Sequence, residues 1–538
     1  MASRFVRKVR TASGAVAVQV VSKTGGVVVG VEHVGSAHTD AELALLLRAA
    51  RERLLPGQGE LDLDPVSEVL PSVDEVADWT RPASGRLELA EEGESPRGRA
   101  GRPVSVAGGG KVVATASLTL WGVLAAAYER LGFEVLGDEA FRSLVLARVV
   151  EPTSKADTAR VLADIGVPAP SLRTIFRALG RTIGRDYRDR LARACLAHSA
   201  RTSGPAALVL YDCTTLYFET DTEDALRKVG MSKERRVDPQ VQVGLLVDPS
   251  GFPLEVHLFE GNTAETKTLI PVLEAFQARH GVTDMVVVAD AGMLSAGNLN
   301  ALEDAGFSFI VGSRISKAPY DLAEHFQRHG DYFADGQILE SSRVMGTGTA
   351  ARTRRVVYQY SFKRYKRDNR SINAMVERAE KVAAGTRPVK KDRFVRINGA
   401  DKDVNWALVE KARQLAGLKG YVSNLDPDVM SGSQVISAYH DLWHVEKSFR
   451  MAKSDLRARP MFHHQKDSIE AHLTIVFAAL AVSRYLQDVS GLSIKKLINT
   501  LRPIRSATIA LGDQRLTLEP EIPPEVKALL DTIAKSGH

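Results

Sequence analysis

Ala206-Ala207-Leu208-Val209-Leu210-Tyr211-Asp212 is an apolar run, one β-strand long, that ends on a carboxylate. A second run of the same kind, Asp284-Met285-Val286-Val287-Val288-Ala289, ends at Asp290-Ala291-Gly292. Short runs of Val, Leu and Ala without alternation are what strands buried on both faces look like. Between them lie strand-like segments from Val241 to Asp248 and Phe252 to Phe259, joined by the turn Asp248-Pro249-Ser250-Gly251, then a helical pattern from Thr263 to Ala278. A helix from about Leu294 to Ala305 and the strand Phe307-Ser308-Phe309-Ile310-Val311 follow. The order strand, hairpin, helix, strand, helix, strand predicts a mixed α/β sheet with an antiparallel meander at one side.

A carboxylate at the end of a buried strand is costly unless something compensates it. Asp212 and Asp290 repeat that placement, and a third acid lies in Tyr439-His440-Asp441-Leu442-Trp443-His444-Val445-Glu446-Lys447-Ser448-Phe449-Arg450-Met451-Ala452-Lys453. Read as one helix, Tyr439, Glu446 and Lys453 project from one side, and Arg450 joins them. An acid, a phenol and two cations along one stripe suit a site that holds a metal ion beside phosphate oxygens. Each piece has a plainer alternative: an exposed Glu446–Arg450 ion pair, and aspartates that serve turns. Taken as a set, the three acids favour metal. Held close, three carboxylates repel one another until a divalent cation neutralises them. Mg²⁺ is the expected cofactor, with Mn²⁺ as a substitute, because it takes oxygen ligands and leaves positions for phosphate. Two such ions, roughly 3.5–4 Å apart, could activate a water or 3′-hydroxyl.

The chain has 538 residues, 44% hydrophobic and 25% charged, enough for roughly two to four domains with ordinary cores. Its two cysteines, Cys195 and Cys213, exclude a disulfide scaffold or a cysteine-rich zinc site. With no apolar leader at Met1 to Lys8 and an apolar run from Leu473 to Val482 too short for a bilayer, the expectation is a cytoplasmic protein without a membrane partner. Net charge is +6, but it is unevenly spread: fifteen Lys/Arg face four Asp/Glu between Ala351 and Arg396. A concentration of cations with interleaved aromatics points to a polyanion, with Lys363, Arg364, Lys366 and Arg367 as DNA-backbone contacts.

Outward from the core, residues 1–55 read as a small β-rich module. It has strands at Ala15–Val21 and Gly25–Val31 and a helix from about Thr39 to Leu54. Residues 56–112 read as an acidic, Gly- and Pro-containing connector. Residues 113–203 read as helical. Short helices at Ser154–Asp164 and Ser171–Thr182 flank Gly166-Val167-Pro168-Ala169-Pro170 and match a helix-turn-helix, with Arg173, Thr174, Arg177 and Arg181 as groove-facing candidates. Residues 204–315 are the first part of the core and 316–420 a basic, β-rich insertion. Residues 421–490 are the second part, carrying Glu446, and 491–538 a helical tail. Asn262 and Thr263, before a helix, read as cap rather than phosphate ligand. His463 and His464 are not taken as metal ligands, since neighbours on a helix point apart.

On these residues the chain resembles insertion-sequence transposases of the DDE class, whose catalytic domain is ribonuclease H-like. It is similar to the branch whose third acid sits in a Tyr-x2-Arg-x3-Glu-x6-Lys signature, matched here by Tyr439, Glu446 and Lys453. Leu442 stands in the arginine position, and Arg450 on the same side is the candidate to replace that charge. The resemblance implies that Asp212, Asp290 and Glu446 hold two Mg²⁺ ions and that Tyr439 and Lys453 position the backbone at the cut. It implies cleavage at terminal inverted repeats, joining of the 3′-hydroxyl ends to target DNA, and action as a homodimer or larger synaptic assembly. A metal-dependent nuclease of the same fold, or a catalytically idle DNA-binding relative, are the alternatives.

Overall fold

The computed structural model describes residues 2–10, 16–24, 27–37, 46, 111–204, 208–220, 222–231, 238–282, 284–293, 295–313, 333–388, 392–398, 401–459, 461, 463–511 and 514–535. They fall into two units that divide between Pro103 and Val104. In the first, β1 (Ala2–Arg10), β2 (Val16–Thr24) and β3 (Val27–Ala37) form an antiparallel sheet in that order. The β2–β3 pair matches the expected hairpin, while β1 is a strand the sequence reading did not have. The expected helix near Thr39–Leu54, Leu46 apart, and the connector up to Gly110 lie outside the described residues.

The second unit begins with β4 (Lys111–Ala116) and the helices α1 (Leu118–Arg130), α2 (Glu139–Val150), α3 (Thr158–Asp164), α4 (Leu172–Gly184) and α5 (Tyr187–Ser203). Then come β5 (Leu208–Tyr217), β6 (Gln240–Val247), β7 (Pro253–Glu260), α6 (Leu269–His280), β8 (Val286–Ala289), α7 (Ala296–Asp304) and β9 (Ser308–Ser313). They are followed by β10 (Ile338–Met345), β11 (Arg352–Tyr360), α8 (Phe362–Ala383), β12 (Val395–Asn398), β13 (Asp401–Val404), α9 (Trp406–Gln414) and β14 (Leu418–Ser423). The chain closes with α10 (Gly432–His440), α11 (Trp443–Ser454), α12 (Lys466–Ser490), α13 (Ile494–Leu501), β15 (Ser506–Leu511), β16 (Gln514–Leu518) and α14 (Pro524–Lys535).

One sheet organises this unit, in the strand order β10-β11-β14-β9-β8-β5-β6-β7. β5, β8 and β9 run parallel at its centre, and both wings are antiparallel. Every residue of β6 is buried, as are Val287, Val288 and Ala289 of β8, so the uniform apolar runs are indeed central strands. Each Val or Leu side chain among them contributes roughly 1.5–3 kcal/mol on burial. α12 is buried almost all round, from Ile469 to Leu486, and packs on α2, α4 and β7. At 25 residues it is longer than the run read from the sequence, and by length and composition it could cross a membrane. In this fold, however, its apolar surface is taken up by the core, with 94% of its most apolar stretch buried.

Three expectations are corrected. Residues 316–420 are not uniformly β-rich: β10 and β11 extend the central sheet, and the basic run Lys363–Arg370 lies on the 22-residue helix α8. Ser361 caps that helix by accepting from the Arg364 N–H, and Ile372, Val376, Ala379 and Val382 recur at helical spacing on its buried side. Trp406–Val409, expected as strand, opens helix α9 under an Asn405 cap. The tail is not helical throughout, because β15 pairs with both β16 and β4. Pairing with a strand almost 400 residues away leaves no local mark.

Candidate active site

The register of the parallel strands places the two aspartates side by side. Tyr211 of β5 pairs with Ala289 of β8, and Ala289 with Val311 of β9. Asp212, Asp290 and Gly312 are therefore the next residues along three neighbouring strands. Asp290 does follow its strand, as expected. Asp212 is a correction: β5 continues to Tyr217, so this aspartate lies mid-strand, one step past the part that pairs with β8. It stays accessible only in part, at 9% exposure, and its Oδ1 accepts the Cys213 N–H at 2.8 Å. Asp290 is exposed.

Side chains alternate along a strand, so Asp212 shares a face with Thr214 and Leu216. Phe449, Ala452 and Lys453 of α11 close an apolar pocket with Thr214 and Leu216, which puts α11 on the Asp212 side of the sheet. Tyr211 and Cys213 point the other way, toward Thr268. Burial, with added repulsion from Asp212 and Glu265, pushes the Cys213 thiol up to about 12 against its hydrogen bonds with Thr268 and Tyr211, which favours the protonated thiol.

Tyr439 reaches Asp290 from α10. Its hydroxyl donates to Asp290 Oδ1 at 2.9 Å, and its ring meets Tyr421 edge-on with centroids 4.9 Å apart. A Cβ on Gly312 would lie 2.4 Å from the Tyr439 hydroxyl, so the bare backbone there makes room for the ring. Burial first, then the Asp290 carboxylate, raise the Tyr439 pKa, so the phenol remains a hydrogen-bond donor.

The single helix expected over Tyr439–Lys453 is also corrected. α10 ends at His440 and α11 begins at Trp443; the junction is tightened by bonds three residues apart, from the N–H groups of Leu442, His444 and Val445. The stripe is thereby split: Tyr439 is buried against Asp290, Glu446 and Arg450 are exposed, and Lys453 is half-buried. Glu446 sits in the first turn of α11, where the helix N-terminus favours an anion. Glu446 and Asp290 both act on Lys419, which links the two sides of the site electrostatically. Glu446 nevertheless does not close onto the aspartates. Among the described residues, no group of three or more His, Cys, Asp or Glu stands close enough to hold a metal ion. Oxygen donors alone, two of them adjacent and one solvent-facing, are the donor chemistry that magnesium takes.

A residue that sequence reasoning missed lies on the Asp290 side of the site. Glu265 Oε2 and Asp290 Oδ2 are 3.1 and 3.9 Å from the point where a Gly292 Cβ would stand. Glu265 lies on a one-turn 3-10 segment with no periodic signal to mark it.

Basic side chains border the site. Lys363, Arg364, Lys366, Arg367, Arg370, Lys419, Tyr421 and His440 line a cleft of about 560 Å³. A second cleft of about 490 Å³ shares Arg364 and Lys419 with it and contains Asp290 and Tyr439. Part of the cation surplus seen in sequence is internal, however: Arg352 and Arg354 pair with Glu303, and Arg355 with Glu340. Arg173 and Arg177 lie exposed on α4, next to the exposed Phe176. Arg181 does not face outward with them. It forms an ion pair with Asp138 at 2.7 Å, and Thr174 is engaged with the Ser171 cap. Asn262 and Thr263 make no cap, because α6 starts only at Leu269 with Thr268 before it. His463 Nε2 accepts from Lys155 Nζ at 2.6 Å, and His464 lies against Arg227.

The family model described as Transposase DDE domain matches residues 204–482, a span that contains Asp212, Asp290 and Glu446. Among solved structures, the chain is similar to the piggyBac transposase in a synaptic complex with hairpin DNA, at 12% identity and a TM-score of 0.36 over 70% of each chain. No curated protein matches the chain.

Proposed function

The chain belongs to the transposase DDE domain family, and from that premise we propose that it is an insertion-sequence transposase that cuts the inverted-repeat ends of its element and joins their 3′-hydroxyls to target DNA. The observation that carries this reading is the register placing Asp212 and Asp290 side by side at the C-terminal end of the parallel pairing, inside the matched span. The ribonuclease H-like description is supported by three antiparallel strands, β7-β6-β5, continuing into the parallel β8 and β9.

In this reading Asp212, Asp290 and Glu446 hold magnesium, or manganese in its place. When bound, the metal would neutralise the carboxylates and lower the pKa of the attacking water or 3′-hydroxyl. The chain's own residues prepare that site. Tyr439 fixes one Asp290 oxygen by donating to it, leaving the other oxygen for a ligand. The cations of α8, with Arg450 and Lys453 on α11, hold the phosphate backbone alongside, and Arg173 and Arg177 on α4 contact DNA further out. Glu446 is the member that must move nearer, and a bound divalent cation would supply the positive counter-charge for that approach. Two copies acting on paired ends, within the cytoplasm and on the nucleoid, complete the reading.

The test uses labelled DNA ends from the element that encodes this chain, with Mg²⁺ and a target plasmid. Joined product supports transposition. Cutting without joining would mean a nuclease, and binding without cutting an idle relative; either outcome overturns the proposal.

A further inference from the structure

Lys419 stands at the junction of the two clefts, one lined by the basic helix and the other holding Asp290. On β14 it shares a face with Tyr421. Its Nζ lies 4.2 Å from the centre of the Tyr439 ring and 5.4 Å from that of Tyr421. Among the described residues it makes no hydrogen bond or ion pair, and those two rings are its neighbours. Arg364 also lines both clefts, but it leans on Asp368 at 3.4 Å. Lys419 is thus a half-buried cation without an acid in contact with it, held over aromatic faces where it lines both clefts.

A cation in such a place is poorly solvated, and an arriving anion improves its position. Burial, then Arg364, hold its pKa below the usual lysine value, while Asp290 and Glu446 pull it back up. It therefore feels the acids on one side and the basic helix on the other. We propose that Lys419 takes the DNA phosphate that bridges the basic cleft and Asp290, and so holds the reacting strand against the paired aspartates. This rests on the transposase reading, and it adds a contact on β14 that lies outside the Tyr439–Lys453 stretch.

The experiment uses the full chain with Lys419→Gln, Lys419→Met and Lys419→Arg. Binding of a short fluorescein-labelled duplex of arbitrary sequence is measured in EDTA over a series of KCl concentrations. Losing one phosphate contact should reduce the slope of log K against log salt by about one for the Gln and Met variants, and the Arg variant should restore it. Nicking of supercoiled plasmid in Mg²⁺ at saturating protein should fall about tenfold or more in the two neutral variants, as expected when a reacting group loses its positioning contact. A purely structural lysine would leave the slope unchanged. An unchanged slope in whichever neutral variant folds like the wild type overturns the proposal, as does an Arg variant with the reduced slope. If the wild type binds but never nicks, the transposase reading fails while the slope still decides Lys419. If the wild type nicks and the slope is unchanged, only Lys419 is refuted.

Discussion

The hydroxyl of Tyr439 donates to Asp290 across 2.9 Å, in space that exists because Gly312, level with Asp290 on the next strand, has no side chain. Methylating that position tests whether the space is needed. Gly312→Ala would bring a Cβ within 2.4 Å of the phenol oxygen and 2.9 Å of Cζ, so the ring must shift. Overpacking of this kind costs about 1–3 kcal/mol. Chemical denaturation should show that loss in the single variant, and most of it should vanish when Gly312→Ala is made in a Tyr439→Ala background. Equal losses in both backgrounds would mean that the two residues do not compete for space.

On the proposed reading, Asp212→Asn should abolish DNA cleavage in Mg²⁺ while leaving duplex binding equal or tighter, since it removes one negative charge from the surface proposed to face DNA. Gel-based nicking and fluorescence anisotropy measure the two effects separately. Cleavage at a near-normal rate would remove Asp212 from the site.

Asp138 makes the most connected carboxylate in the helical region. It accepts from the Ala140 and Phe141 N–H groups at the start of α2, from Arg181 at 2.7 and 2.8 Å, and from the Tyr187 hydroxyl at 2.9 Å. Burial alone would raise its pKa, but Arg181 and the Phe141 N–H more than offset this and hold it below the usual carboxylate range. Asp138→Ala removes a helix cap and strands Arg181, so a loss of about 3 kcal/mol is expected in urea unfolding, with Asp138→Asn losing less. A change under about 0.5 kcal/mol, the size of an ordinary surface substitution, would contradict this account.

A cluster of bases gives the fold an acid sensitivity above the carboxylate range. Lys155 Nζ donates to His463 Nε2 and to His472 Nδ1 at 2.6 and 2.7 Å. Burial, then the neighbouring cations, lowers the pKa of both histidines, His463 to about 4. A base whose pKa is lower folded than unfolded binds more protons when unfolded. Stability must therefore fall as pH drops from the unfolded histidine value, about 6.5, toward 4. Thermal unfolding should show a lower Tm at pH 5 than at pH 7.5; burial also holds the Lys155 amine well below the usual lysine range, so Lys155→Met should remove the part of the rise that continues above pH 7.5. A flat Tm between pH 5 and 7.5 would mean the histidines are already charged in the fold.

Much of the core could be read without coordinates, and the reason is local. Two uninterrupted apolar runs ending at Asp212 and Asp290, with helical periods between them, carry their own evidence of burial and order, and the sheet contains both as neighbours. The basic run from Lys363 to Arg370 was equally visible as charge, although its place on a helix beneath a Ser361 cap was not.

Other features depend on which distant segments meet. No glycine or proline marks the break between His440 and Trp443, which follows from α10 lying over β9 and β14 while α11 lies over β5 and β6. Gly312, Lys419 and Glu265 carry no motif; each matters only through the residue that register or packing sets beside it. Chain composition and periodicity therefore determined that two acidic strand positions and a cationic helix exist. Strand order and register, set by burial summed over the whole sheet, decided that Asp212 adjoins Asp290, that Tyr439 reaches it over a bare glycine, and that Glu446 stands on the same side without closing the group.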